Sequence, residues 1–149
     1  MRANVGVPPE ILTDQHLIAE YRELLIPAGW QRKRNWEAGK TPIPPTFRLG
    51  KGHITFWRDK HLYLAKRHEI VIAEMKRRGF KPNYTYWDLN EIPEDLRKDW
   101  VASMDDSILI RERIFSRIMD KPQWYRFNRK PLGDVNEYRD LLFSAEVVM

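Results

Sequence analysis

Leu62-Tyr63-Leu64-Ala65-Lys66-Arg67-His68-Glu69-Ile70-Val71-Ile72-Ala73-Glu74-Met75 is the stretch on which the fold reading turns. Its apolar positions Leu62, Leu64, Ala65, Ile70, Ile72, Ala73 and Met75 recur with broadly helical spacing. They place a long helix over about 55–78, with Gly79 as its natural stop. Upstream, Thr13 reads as the N-cap of a first helix carrying Leu17, Ile18, Tyr21, Leu24 and Leu25, and Pro27 and Gly29 weaken its continuation. Pro42, Pro44, Pro45, Gly39, Gly50 and Gly52 make 37–52 a loop. Downstream, 80–103 reads as irregular, with one turn at about 93–99. A third helix over about 106–120 presents Ile108, Ile110, Ile114, Phe115 and Ile118 and is ended by Pro122. A short amphipathic helix over 135–145 closes the chain. No alternating strand pattern, internal repeat or Gly-rich phosphate loop is visible. The expected fold is all-α: a compact three-helix single domain with long loops and a short C-terminal helical extension.

The 149 residues fit one domain, and 42% hydrophobic against 32% charged residues excludes a membrane protein and an ordinary disordered chain. No apolar run approaches the ~20 residues of a bilayer span. Residues 1–9 lack the apolar core of a signal peptide, so the expected location is cytoplasmic, or the host cytoplasm for a viral chain. Without cysteine there are no disulfides, thiolate nucleophiles or cysteine-ligated metals. His16, His53, His61 and His68 form no His-Glu-x-x-His, and neither a metal nor a cofactor is expected. His61 and His68, seven apart, read as a polar surface pair. The four serines lie in no Gly-x-Ser-x-Gly context.

The net charge of +5 is unevenly spread. Residues 30–81 hold 14 Lys and Arg against 4 Asp and Glu, whereas 82–110 hold 2 against 7. A concentrated positive stretch is the footprint of a polyanion binder, or simply a solvated basic helix face. Several of the six Trp, six Tyr and six Phe lie among cations, at 30–36, 56–58 and 124–130. Phe56 and Trp57 read as core. Trp124 to Lys130, where aromatic and cationic residues interleave, reads as a ligand contact. Asp14, His16, Glu20, Arg22 and Glu23 crowd the first helix, and their spacing alone describes a solvated charged face.

The run Asp14-Gln15-His16-Leu17-Ile18-Ala19-Glu20-Tyr21-Arg22-Glu23-Leu24 closely resembles the first helix of the phage-type pyrimidine-dimer DNA glycosylases, the endonuclease V family. The resemblance continues through Pro45-Thr46-Phe47-Arg48-Leu49-Gly50-Lys51-Gly52-His53-Ile54-Thr55-Phe56, through 59–80, and into Pro122-Gln123-Trp124-Tyr125-Arg126-Phe127. It implies a pyrimidine-dimer-glycosylase-like domain over 1–130 and a C-terminal extension over 131–149. It also implies a DNA repair activity on cyclobutane pyrimidine dimers in duplex DNA: glycosidic cleavage, then β-elimination at the abasic site. In that family the nucleophile is the α-amine of the first residue, a threonine. An α-amine titrates near ~7.7–8.0, so part of it is nucleophilic at neutral pH. A glutamate on the first helix stabilises the cationic intermediate, and by position it is Glu23.

The N-terminus departs from that pattern. Arg2 is too large for ordinary removal of the initiator, so Met1 is expected to stay and its α-amine to take the nucleophile's place. By the same resemblance, Arg2, Arg22, Arg113 and Arg117 would face phosphates and His16 would order the site. Trp124, Tyr125, Arg126 and Lys130 would belong to the DNA contact. Leu25, Ile26 and Pro27 stand where the family has a further arginine. The partner implied is double-stranded DNA with damaged bases. The alternative is a non-catalytic nucleic-acid or nucleotide binder on the same scaffold, such as one sequestering a signalling dinucleotide.

Overall fold

Thr13 caps the first helix as its position predicts. Its side-chain oxygen accepts from the His16 amide and opens α1, Asp14–Glu23. The computed structural model describes residues 1–37, 39 and 41–149. Further along the chain come α2 (Ile26–Arg32), a single helical turn (His53–Phe56), α3 (His61–Arg77), α4 (Met104–Asp120) and α5 (Val135–Ser144). The architecture is all-α, with α1, α3 and α4 as the main helices. Among the described residues no helix is long and apolar enough to cross a membrane.

Local chemistry accounts for several departures from the pattern reading. Pro27 does not merely end α1; it occupies the first turn of α2, where a missing N–H costs nothing. The long helix begins at His61, because 55–60 is taken up by the helical turn, a 3-10 turn at Trp57–Asp59 and Lys60 at φ −114°. Lys60 is held there: its ammonium donates to the Phe56 carbonyl and the Asp59 carboxylate, both at 2.8 Å. The Lys98 amide donates to the Asp59 carbonyl at 2.9 Å. α4 starts at Met104 through a capping box between Ser103 and Asp106. Residues 80–103 contain two 3-10 turns, Leu89–Glu91 and Glu94–Leu96, rather than one.

A small hairpin is present where no strand was visible. β1 (Arg126–Phe127) pairs antiparallel with β2 (Lys130–Pro131) through Asn128 and Arg129, at φ 50° and 65°. Two-residue strands leave no alternation to read, and such turns normally advertise themselves with glycine. Here tertiary bonds hold the turn instead. Asp14 accepts from the Arg129 amide at 2.8 Å, and Arg77 donates to Asn128 Oδ1 at 3.0 Å.

Phe47, His53, Phe56, Trp57, Tyr63 and Trp100 interlock at ring separations of 4.9 to 6.2 Å. Phe56 and Trp57 are fully buried, as expected. His61 and His68, expected as a surface pair, are also fully buried. His61 bonds Gln31 Oε1 at 2.6 Å and the Tyr86 hydroxyl at 2.8 Å, and His68 Nε2 donates to the Tyr21 carbonyl at 2.8 Å. Tyr138 and Leu142 of α5 join the same core as the rest of the chain.

The first twelve residues thread through this core with almost no regular structure, and their carbonyls are met by buried arginines. Arg67 donates to the Val7 carbonyl, Arg78 to Pro9 and Glu10, and Arg111 to Gly6. Arg67 also grips both oxygens of Glu20, at 2.8 and 2.9 Å, with neither side chain exposed. Glu20 is therefore not part of a solvated face: it lies on the same stripe as Leu17, Tyr21 and Leu24. Removing one partner leaves the other charged and buried. Glu20→Gln and Arg67→Met should each cost about 3–5 kcal/mol in urea unfolding, and the double substitution less than their sum.

Candidate functional site

The N-terminal segment leaves the core at the C-terminal end of α1. The Met1 α-amine stands 3.6 Å from Glu23 Oε1, and Arg2 Nη1 donates to Glu23 Oε2 at 2.8 Å. One carboxylate thus faces an ammonium and a guanidinium at once. The Met1 side chain is fully buried against the core, so the exposure this residue keeps comes from its backbone end. Glu23 retains a quarter of its side-chain exposure. One helical turn back, Glu20 accepts from the Asn4 amide at 2.9 Å and from Asn4 Nδ2 at 3.1 Å. The two glutamates of α1 divide the work: Glu20 moors the segment and Glu23 meets its tip.

Beside the amine, Arg2, Asn4 and His16 form a narrow cleft with Arg113 and Arg117 of α4. The last two lie one turn apart on one helix face. His16 bonds Thr13 Oγ1 through Nδ1 at 2.6 Å and stacks on Tyr125 with ring centroids 5.1 Å apart. Burial pushes its pKa down to about 3, helped by Arg2, Arg117 and Arg113, so the ring is neutral. Burial also lowers Arg113, as do Arg117 and Arg2, while Glu23 opposes them. Guanidinium groups crowded to this degree repel one another and favour an anion alongside them.

Gln15 docks the hairpin on α1. It donates to the Trp124 carbonyl at 2.6 Å and accepts from the Arg126 amide at 3.0 Å. Tyr125 is thereby buried against His16, while Trp124, Arg126 and Lys130 face outward. Met1, Arg2, His16, Glu23, Arg113, Arg117 and Tyr125 are thus brought together, with Trp124 at their edge. Arg22 is not among them. It lines a separate open groove of about 780 Å³ with Trp30, Trp36, Trp87, Arg32 and Lys33. Arg126 and Lys130 extend along the hairpin away from the cleft's lining.

Over more than half its length, residues 4–88, the chain matches the family model for pyrimidine dimer DNA glycosylases. The chain belongs to that family. This pyrimidine dimer DNA glycosylase family is one of DNA repair, and the matched span holds α1 to α3 with Glu20, Glu23, His53 and Arg67. Met1 and Arg2 precede the span, and α4, the hairpin and α5 follow it.

The structure adds site residues that the pattern reading missed. His53 is buried beside Met1: its Nδ1 donates to the Arg48 carbonyl at 2.8 Å, and its Nε2 is enclosed. Burial lowers its pKa, the Arg48 and Met1 backbones oppose this, and the Met1 ammonium and Arg113 lower it further. Asn4, Glu20 and Arg67 also escaped, although the apolar stripe around Glu20 was a usable signal. Among the described residues no three His, Asp or Glu side chains converge as a metal site.

The buried histidines make stability depend on pH with a definite sign. Burial keeps His16 near 3 and His61 near 4 in the folded chain, against about 6.5 unfolded. The unfolded chain therefore binds protons that the folded chain refuses. Stability is full above about pH 6.5 and is lost as pH falls towards those folded values. The urea midpoint should decline steadily from about pH 7 to about pH 4.5, and a flat profile there would contradict neutral burial.

Proposed function

We propose that the protein is a DNA glycosylase with abasic-site lyase activity on pyrimidine dimers in duplex DNA, with the Met1 α-amine as nucleophile. The observation that carries the reading is the amine 3.6 Å from Glu23 Oε1, with its side chain buried and Arg2, Arg113 and Arg117 beside it. A lysine would need heavy desolvation to become nucleophilic at neutral pH, whereas an α-amine titrates close to it. The larger side chain at position 1 is accommodated because it serves as an anchor in the core.

The amine's lone pair attacks the anomeric carbon, and the glycosidic C–N bond breaks with its electrons leaving on the base, which takes up a proton. Loss of a proton from the amine and opening of the sugar ring give a Schiff base. Removal of a proton from the neighbouring sugar carbon then expels the 3′ phosphate by β-elimination. Glu23, within reach of the amine, offsets the cationic charge that develops on nitrogen and takes part in the proton transfers. Arg2 orients that carboxylate and, with Arg113 and Arg117, neutralises phosphates flanking the lesion. Trp124 offers an exposed ring to unstacked bases at the edge of the cleft, and reaching the sugar requires a bent duplex with an extruded nucleotide. Arg22, Arg126 and Lys130 extend the cationic surface.

The groove of Trp30, Trp36, Trp87, Arg22, Arg32 and Lys33 favours a second reading, a binder of small nucleotides on the same scaffold. Borohydride added to the protein with a duplex carrying a dimer or an abasic site separates the two. A covalent adduct mapped to Met1 is expected. Its absence from protein whose Met1 amine is verified as free would overturn the glycosylase reading. Salt-insensitive binding of a nucleotide would then support the second.

Glu23→Gln should lower turnover by about 10²–10⁴-fold with duplex affinity largely kept, read by single-turnover cleavage and by fluorescence anisotropy. Wild-type affinity should fall steeply between low and physiological salt, since it rests on phosphate neutralisation.

A further inference from the structure

The residues after α5 fold back onto the opposite end of the chain. Val148 donates its amide to the Gly6 carbonyl at 2.9 Å. The same carbonyl accepts from Arg111 Nη2 at 3.1 Å. Arg111 binds the returning segment as well, through the Ala145 carbonyl at 2.6 Å and the Glu146 carbonyl at 3.0 Å. Arg67, which holds Val7 and Glu20, also donates to the Met149 carbonyl. Two buried guanidiniums therefore tie the last five residues to 6–7 of the N-terminal segment.

Gly6 is the point of closest approach. At φ +74° it adopts a backbone conformation that side chains disfavour. A Cβ there would lie 2.6 Å from Ser107 Oγ on α4 and 3.0 Å from Val147 Cγ1. Gly6 is thus clamped between α4 and the returning segment. From it the chain runs back through Asn4, moored on Glu20, to the amine at Glu23. Four residues separate Gly6 from Met1, few enough that moving Gly6 moves the tip.

We propose that residues 145–149 act as a strap that positions the Met1 amine against Glu23 by clamping Gly6. This rests on the amine being the nucleophile. The strap touches no substrate; Val148 and Arg111 are positioning residues, and their contribution is orientation of the attacking nitrogen. A misplacement of about 1 Å at a reacting atom costs on the order of 10²-fold in rate.

Val148→Pro deletes the backbone N–H bonded to Gly6 and leaves the Arg111 bond and the cleft untouched. Its single-turnover rate of borohydride-trapped adduct formation on an abasic duplex should fall about 10- to 100-fold, with Kd within about threefold of wild type. An unchanged rate in the folded variant overturns the strap. A second readout needs no DNA: the rate of Met1 amine methylation by formaldehyde and borohydride at one fixed pH, followed by peptide mass spectrometry. Displacement of the amine from Glu23 should change that rate in Val148→Pro, and an identical rate rejects the proposal. If Val148→Pro loses its helical circular dichroism, Val147→Ala replaces it, opening space over Gly6 without removing a hydrogen bond. Slower trapping at unchanged Kd is then expected, and wild-type trapping rejects the strap. Wild-type protein that forms no adduct at Met1 overturns the nucleophile reading instead, and the methylation rate still decides the strap.

Discussion

The structure depends on one unusual problem of hydrogen bonding. Residues 1–12 run through the core with only a 3-10 turn at Pro9–Ile11 to satisfy their carbonyls, and a buried carbonyl without a partner is costly. Arg67, Arg78 and Arg111 solve this from α3, the end of α3 and α4, each with its guanidinium enclosed or nearly so. Glu20 compensates Arg67, and Asp14 with Glu74 compensates Arg78. The same contacts that satisfy the backbone fix where the chain begins, and so where the first amine stands.

α1 is the organiser of the site because it works at every level. Its N-terminus holds the hairpin through Asp14 and Gln15. His16 carries Tyr125 on its face, Glu20 moors Asn4, and Glu23 meets the amine. A single ten-residue helix therefore sets the separation between the amine, the cations of α4 and the aromatic hairpin. That economy explains why polar residues are so dense on it and why several of them are buried.

The electrostatics follow from burial. His16 stays neutral among Arg2, Arg113 and Arg117, which leaves a cluster of permanent cations around a neutral ring. Such a cluster is repulsive in itself and is relieved by an anionic backbone brought alongside it. The +5 net charge is small, but the fold gathers cations from the first residues and from α4, far apart in sequence, onto one cleft.

Helical period, caps and breakers were legible along the chain. They carried the all-α class, the N-cap at Thr13 and the stop at Gly79, because these depend on near neighbours. The run through α1 carried the family. What stayed hidden arises between distant residues. Glu20, His61 and His68 look like surface groups locally, and their burial depends on Arg67, Gln31 and the Tyr21 carbonyl reaching them across the fold. The hairpin at Asn128 and Arg129 exists because Asp14 and Arg77 bond its turn. The clamp on Gly6 joins both ends of the chain, and no local pattern encodes a hydrogen bond between residues 6 and 148. Secondary structure is a property of adjacent side chains, whereas the placement of an amine beside a carboxylate depends on which buried charges find partners when the whole chain closes.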